Sequence, residues 1–354
     1  MIEAHFPLRQ VLNENGEIVS RPPVLSREEQ VRLYRSMLRI RLIDERMMML
    51  QRQGRVGFYG ACTGQEAAVV GSAAAFRPED WIFPGLREGG AALMRGFPLL
   101  DYVSQVLGNR IDPTKGRQMP CHYSAPAANY VSWSSCIATQ LPHAVGAALA
   151  MKKRKTAAIA IAYFGDGATS EGDFNVAMNF AGVYKAPVLF FCQNNQWAIS
   201  VPMDHQTAAE TFAVKAVAYG LKSLRVDGND VLAVFRETQA AVDEVRGGGG
   251  PILIEAVTYR MGAHSSSDDP SRYRDESVTE QWKARDPLIR YRRYLRGLGL
   301  WNDELERLAT HEMQEELAAT IQSAEAAGEP SVQTLFEDVY SRKPWHLVVQ
   351  EREG

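Results

Sequence analysis

The sequence predicts an α/β fold: a doubly wound, mostly parallel sheet flanked by helices, with helical extensions at its N- and C-terminal ends. Two observations lead there. From about residue 137, strand-like and helix-like stretches alternate, and the strand-like runs are continuously apolar rather than alternating apolar with polar. Such strands are buried on both faces, as they are when helices cover both sides of a parallel sheet. A chain of 354 residues suits one large α/β unit as readily as two average domains. We expect one unit over residues 26–340, preceded by an arm at 1–25 and followed by a tail at 341–354.

The first 25 residues are polar and turn-rich, with Asn13-Glu14-Asn15-Gly16 and Pro22-Pro23, and read as an arm outside the core. Ser26 before Glu28 and Glu29 is a helix-capping pattern, and an amphipathic helix follows to about Gln53. Its charged side, with Arg32, Arg35, Arg39, Asp44 and Arg46, is expected to face solvent or another subunit, and Met47-Met48-Met49 to fill core. Residues 54–135 are rich in glycine and aromatics and read as short helices between loops. The regular alternation then begins with a small-residue helix in LPHAVGAALAMKK and a strand in TAAIAIAYF. A helix over about 171–184, the strand PVLFFCQ and a helix over about 207–219 come next. The strand LKSLRVD, a helix over 230–246, a turn at Gly247–Gly250 and the strand PILIEAVTYR complete the pattern. The stretch 278–340 is helical and charged, and HLVVQ near the end is a candidate last strand.

Composition excludes several classes. Lys plus Arg is 39 against 42 for Asp plus Glu, a formal charge of −3 with no basic stripe, so binding to nucleic acid is not expected. Hydrophobic residues at 45 % and charged residues at 23 % describe a globular chain rather than a disordered one. No apolar run reaches the ~18–20 residues that would cross a bilayer. The start MIEAHFPLRQ lacks the basic and apolar regions of a secretory signal, so a cytoplasmic location is expected. Cys62, Cys121, Cys136 and Cys192 show no metal-ligand spacing and are expected as small buried hydrophobes.

Doubly wound sheets bind ligands where strands end and helices begin. At the end of TAAIAIAYF stands Gly165-Asp166-Gly167-Ala168-Thr169-Ser170-Glu171-Gly172. Glycines opening a helix suit a phosphate held by backbone N–H groups. A Walker loop would need Gly-Lys-Ser/Thr, which is missing. A dinucleotide fingerprint would need a third glycine where Ser170 stands. It also wants an acidic residue closing the next strand, which here ends in the neutral amides Gln193-Asn194-Asn195. The remaining reading is a diphosphate bridged by a divalent cation. Asp166 would repel a phosphate unless Mg²⁺ lay between them, and a carboxylate, the Asn195 amide oxygen and phosphate oxygens suit its octahedral shell. Gly165 and Asn195 are separated by roughly thirty residues, the length of one strand–helix–strand unit. Gly-Asp-Gly followed at that distance by Asn-Asn is the fingerprint of thiamine diphosphate binding.

With that motif stand FYGACTGQEAAVVGSAAAF, WIFPGLREGG, KGRQMPCHY, SSCIATQLPHAVGAA, QNNQWAISVP, VDGNDV and YRMGAHSSSDDPSRYR. Through them the chain resembles, from about residue 30 to 340, the alpha subunit of the heterotetrameric decarboxylase component of 2-oxo acid dehydrogenase complexes. KGRQMPCHY together with HSSSDD looks most like the branched-chain 2-oxo acid type. The resemblance implies the thiamine diphosphate-binding fold, thiamine diphosphate and Mg²⁺ as cofactors, and decarboxylation of a small 2-oxo acid with acyl transfer to the lipoyl group of a partner acyltransferase. It also implies a beta subunit that supplies the pyrimidine-binding half, in an α₂β₂ assembly, so that this chain alone would be inert. Helices over 143–150 and 28–50 are candidate interface elements.

By the same resemblance, Asp166, Asn195 and the backbone carbonyl of Trp197 would hold Mg²⁺. Gly165, Gly167 and Ala168 would line the diphosphate, and Arg87 would pair with it. His264 is implied at the terminal phosphate with a catalytic role near the reacting carbonyl, and Ser135 and Ile137 at the aminopyrimidine. Ser134, Cys136, Thr139 and Gln140 align with a K⁺ site of some relatives. Ser265 and Ser271 stand where relatives with a kinase are phosphorylated. Two cofactor-contacting positions depart from the pattern: Leu86 replaces a frequent Tyr, and Gln193 a basic residue of some relatives. Pyruvate or acetoin as substrate, a non-catalytic thiamine diphosphate-binding subunit, and a nicotinamide dehydrogenase are the competing readings.

Overall fold

A computed structural model describes residues 6–353. In chain order the elements begin with β1 (Leu8–Arg9), α1 (Arg27–Arg52), α2 (Glu66–Ala73), β2 (Trp81–Phe83), α3 (Gly89–Met94) and α4 (Leu99–Leu107). The central units are α5 (Gln140–Arg154), β3 (Ala160–Gly165), α6 (Gly172–Tyr184), β4 (Val188–Asn194) and a hairpin of β5 (Trp197–Ala198) and β6 (Val201–Pro202). Then follow α7 (Met203–Gln206), α8 (Ala213–Val217), β7 (Lys222–Asp227), α9 (Val231–Arg246) and β8 (Ile252–Val257). The chain ends in α10 (Glu276–Lys283), α11 (Pro287–Gly297), α12 (Asp303–Ala326) and α13 (Trp345–Glu353). No described helix is long and apolar enough to cross a membrane.

Six strands form one parallel sheet in the order β1-β7-β8-β4-β3-β2. All seven residues of β4 are buried, as expected of a central strand covered on both faces. The register sets Gly165 opposite Gln193, and Asn194 and Asp227 both opposite Val257, so β3, β4, β8 and β7 finish along one edge. Each face of the sheet has its own apolar cluster. One packs α1, α2, α9 and the C-terminal helices; the other packs α5, α6 and Phe212.

Local chemistry accounts for several boundaries. The Glu29 amide donates to Ser26 Oγ at 3.1 Å while the Ser26 amide donates to Glu29 Oε2 at 2.7 Å, the reciprocal box that starts α1. Asp230 caps α9 by accepting from the amides of Leu232 and Ala233.

Six expectations need correction. The arm, whose first five residues lie outside the described ones, is an edge strand: β1 pairs with β7, and Val11 and Leu12 are fully buried with both amides donating to Asp230 Oδ2. The long helix expected over 207–219 is reduced to α8, because the hydroxyls of Thr207 and Thr211 accept from Ala209 and Val214 amides and divert the backbone into turns. HLVVQ belongs to helix α13, with no strand among the described residues beside it to pair. On the charged side of α1, Arg35 and Arg39 stay partly exposed and pair with Glu312 and Glu316 of α12, but Asp44 is buried. Among the Met cluster Met47 is buried but Met49 is about half exposed, and Cys136 is exposed while the other three cysteines are buried.

Candidate active site

The aligned ends of β3, β4 and β8 open into a cavity of about 530 Å³. Leu86, Arg87, Ser135, Ile137, Gly165, Asp166, Gly167, Ala168, Gln193, Asn195, Trp197 and His264 all line it. The loops that follow the strands bring these positions together, as the switch-point rule for parallel sheets requires.

At the end of β3 a single turn of 3₁₀ helix over Asp166–Ser170 precedes α6. Asp166 is buried, and burial raises its carboxyl to about 6 despite a hydrogen bond from Gln206 Nε2 at 3.1 Å. Beside it, Asn195 Oδ1 accepts from the Trp197 amide at 3.2 Å, and Asn195 Nδ2 donates to Gln65 Oε1 at 3.1 Å. Its neighbour Asn194 is committed to the fold, donating to Glu255 at 2.8 Å. A Cβ on Gly165 would meet nothing within 4 Å, whereas one on Gly167 would lie 2.9 Å from Ala198 Cβ. Gly165 thus leaves open space for a ligand, and Gly167 lets the β5–β6 hairpin close on the turn.

Two cations face this corner. Arg87 is buried, with Nη1 donating to the Ala61 carbonyl and Nη2 to that of His264 at 2.7 Å. Arg260, also buried, donates through Nη2 to the Ile199 carbonyl at 2.6 Å and the Tyr273 hydroxyl at 2.9 Å. Neither guanidinium forms a salt bridge among the described residues. Burial lowers both, Arg260 to about 10. Buried cations without an anion are costly unless a ligand supplies the charge. Together with an unpaired buried carboxylate and a fixed amide oxygen, they fit a diphosphate carrying a divalent cation.

His264 follows β8 in a loop held by its amide donating to Asp268 Oδ2 at 2.7 Å. Burial, and then the charges of Arg87 and Arg260, lower its ring to about 4, so it is neutral near pH 7. In the same loop Ser265 is buried and Ser271 exposed. On the far wall, His122 Nδ1 donates to the Pro120 carbonyl at 3.1 Å and Nε2 lies 2.6 Å from Ser135 Oγ. Gln193, standing where a cation was expected in some relatives, donates instead to the buried Glu88, which burial raises to about 7.

Of the four residues aligned with a K⁺ site, Gln140 lines the cavity with Oε1 unpartnered among the described residues, and the Thr139 hydroxyl donates to the Cys136 carbonyl at 2.7 Å, which keeps its oxygen lone pairs free. Gln65, Glu88, His122, Gln206 and Arg260 were not singled out from sequence, yet all line the site. Four of the five sit inside the quoted segments, and Arg260, four residues before His264 at a strand end, was the most findable.

The family described as dehydrogenase E1 component matches residues 34–333. Over 98 % of this chain, the sequence is 45 % identical to 2-oxoisovalerate dehydrogenase subunit alpha 2, mitochondrial, of Arabidopsis thaliana, covering 74 % of that protein. It is 41 % identical to the mitochondrial 2-oxoisovalerate dehydrogenase subunit alpha of Mus musculus, over 98 % of this chain and 79 % of that one. Against the 2-oxoisovalerate dehydrogenase subunit alpha of Pseudomonas aeruginosa the identity is 43 %, over 98 % and 87 % of the two chains.

Proposed function

Because the chain belongs to the dehydrogenase E1 component family, we propose that it is the alpha subunit of a branched-chain 2-oxo acid decarboxylase that works on thiamine diphosphate with Mg²⁺. The observation behind this reading is the pair of buried, carboxylate-free guanidinium groups, Arg87 and Arg260, in one cavity with the buried Asp166. That cavity's apolar wall, formed by Phe58, Leu86, Met119, Trp133, Ile137 and Ile199, suits a branched hydrocarbon side chain better than a more polar one.

Thiamine diphosphate, when bound, supplies the electron sink that lets a 2-oxo acid lose CO₂. The chain's own residues do the rest. Asp166, Asn195 Oδ1 and the Trp197 carbonyl would hold Mg²⁺, and Gly165, Gly167 and Ala168 would offer backbone N–H groups to the diphosphate. Arg87 neutralises that charge in an orientation set by two backbone carbonyls. Since a guanidinium only donates, the 3.4 Å contact of Arg87 Nη2 with His264 Nδ1 leaves the ring proton on Nε2. A neutral ring with Nε2–H is a donor for an oxyanion developing at the reacting carbonyl. Ile137, half exposed at the rim, would prop the aminopyrimidine beside Ser135. In this reading a beta subunit completes the site as part of an α₂β₂ assembly, and the acyl group passes to the lipoyl arm of a partner acyltransferase. The unpartnered Gln140 Oε1 favours a K⁺ ion at the Ser134–Gln140 turn.

The test is calorimetric titration of the cofactor-free assembly, this chain with its co-purified partner, with thiamine diphosphate. We expect one site per alpha chain, present with Mg²⁺, absent without it and lost in Asp166→Ala. Binding that is indifferent to Mg²⁺ and to Asp166, or preferential binding of NAD, overturns the reading.

A further inference from the structure

A carboxamide has one oxygen and one NH₂ in nearly the same shape, so an asparagine that serves a cation must be held the right way round. Asn195 is held from two sides. Its Oδ1 accepts from the Trp197 amide at 3.2 Å, and its Nδ2 donates to Gln65 Oε1 at 3.1 Å. We infer that Gln65 is a positioning residue that fixes the Asn195 amide with its oxygen toward the divalent cation. This inference rests on the reading of Asp166 and Asn195 as cation ligands.

The way Gln65 is itself held supports the role. It is fully buried, and it ends a turn whose amides are tied down in sequence: Cys62 N donates to Asp44 at 2.6 Å, Gly64 N to Glu66 at 2.9 Å and Gln65 N to the Cys62 carbonyl at 2.8 Å. The turn is pressed onto the segment after β8. The Gly64 carbonyl accepts from Thr258 Oγ1 at 3.0 Å and the Thr63 carbonyl from Met261 N at 3.3 Å. Gly64 has φ +96°, and a Cβ there would lie 2.4 Å from the Tyr259 carbonyl, so only glycine allows this approach. That same segment reaches Asn195, whose carbonyl accepts from Arg260 N at 3.3 Å. Gln65 and Asn195 are thus anchored to one short stretch of chain, and their separation is set by backbone.

Turning Asn195 over would set its NH₂ against the Trp197 N–H, two donors facing each other. Removing the Gln65 acceptor instead leaves Nδ2 buried without a partner in the observed orientation, and the amide loses its reason to stay there. Among the described residues Gln65 Nε2 has no partner, so nothing else there calls for an amide at this position.

The test is the Mg²⁺ concentration that half-saturates thiamine diphosphate binding to the cofactor-free assembly, read by calorimetry rather than turnover. Gln65→Met is expected to raise it about fivefold, the worth of one ordinary hydrogen bond. Gln65→Glu, which keeps the acceptor, should stay at or below the wild-type concentration. A carboxylate has no wrong way round, so in an Asn195→Asp background Gln65→Met should have no effect on the half-saturating concentration. Equal shifts in both backgrounds, or none in either, overturn the inference and leave Gln65 a packing residue. If the unmodified assembly binds thiamine diphosphate without Mg²⁺, or Asn195→Ala leaves the Mg²⁺ requirement intact, it is the assignment of the ligands that fails, and this inference with it.

Discussion

Arg87 Nη2 donates to the backbone carbonyl of His264 at 2.7 Å, while Nη1 of the same guanidinium reaches the carbonyl of Ala61. One buried cation therefore ties the loop before α2 to the loop after β8. Arg87→Met should weaken thiamine diphosphate binding by about 10- to 100-fold, as expected for ~1.5–3 kcal/mol of charged hydrogen bonding. Arg87→Lys should recover only part of this, because a single ammonium cannot span both carbonyls and the ligand. Calorimetric affinities of the two variants check the prediction; equal affinity for Lys and Arg would contradict it.

Burial holds the His264 ring at about 4 in the fold, below the ordinary histidine value of 6.5. Below 6.5 the unfolded chain takes up a proton that the fold refuses, so this contribution to stability is present above 6.5 and is lost as pH falls toward 4. Denaturant midpoints of the cofactor-free assembly should fall over that window less steeply in His264→Gln than in the parent. In ring-nitrogen NMR His264 should be neutral at pH 6 without cofactor, and a bound diphosphate should move its titration upward.

Asp44 runs the other way. Burial and the neighbouring Glu66 raise its carboxyl to about 7 from 3.8. Its contribution is greatest below about pH 4 and is lost as pH rises through 7, because the unfolded carboxyl ionises first. Asp44→Asn should accordingly gain stability relative to the parent between pH 5 and pH 8. Midpoints measured at those two values give the sign directly.

The glycines of the strand-to-helix turn should separate folding from binding. Gly165→Ala meets open space, so its melting temperature should be unchanged while thiamine diphosphate affinity drops at least tenfold. Gly167→Ala sets a methyl 2.9 Å from Ala198 Cβ and should destabilise the fold by about 1–3 kcal/mol. Thermal melts beside calorimetry distinguish the two, and a Gly165→Ala variant that binds normally would place the diphosphate elsewhere.

What could be read in the sequence was what period and fingerprint encode. The apolar runs of β3, β4 and β8 and the capped helices α1 and α9 were visible because their own residues dictate them. The two-residue β1, the broken 207–219 segment and helical HLVVQ were not, since a neighbouring strand, threonine hydroxyls and local chain contacts decide them. In the site, Asp166 and Asn195 stood out by their spacing. Gln65 and Glu88 did not, because an amide or a carboxylate acquires its meaning only from the partner across the cavity, Asn195 in one case and Gln193 in the other. Asp44 looked like surface because helical spacing put it among arginines; the turn at Cys62 folds over it.

The most direct test is CO₂ release by the assembly, purified from its own host through this chain, with thiamine diphosphate, Mg²⁺ and an artificial electron acceptor. Branched 2-oxo acids and pyruvate are compared by kcat/KM in parallel. The account predicts turnover that needs the beta subunit and favours the branched acids. Preference for pyruvate, or no turnover by an assembly that contains the beta subunit and has bound its cofactor, would contradict it.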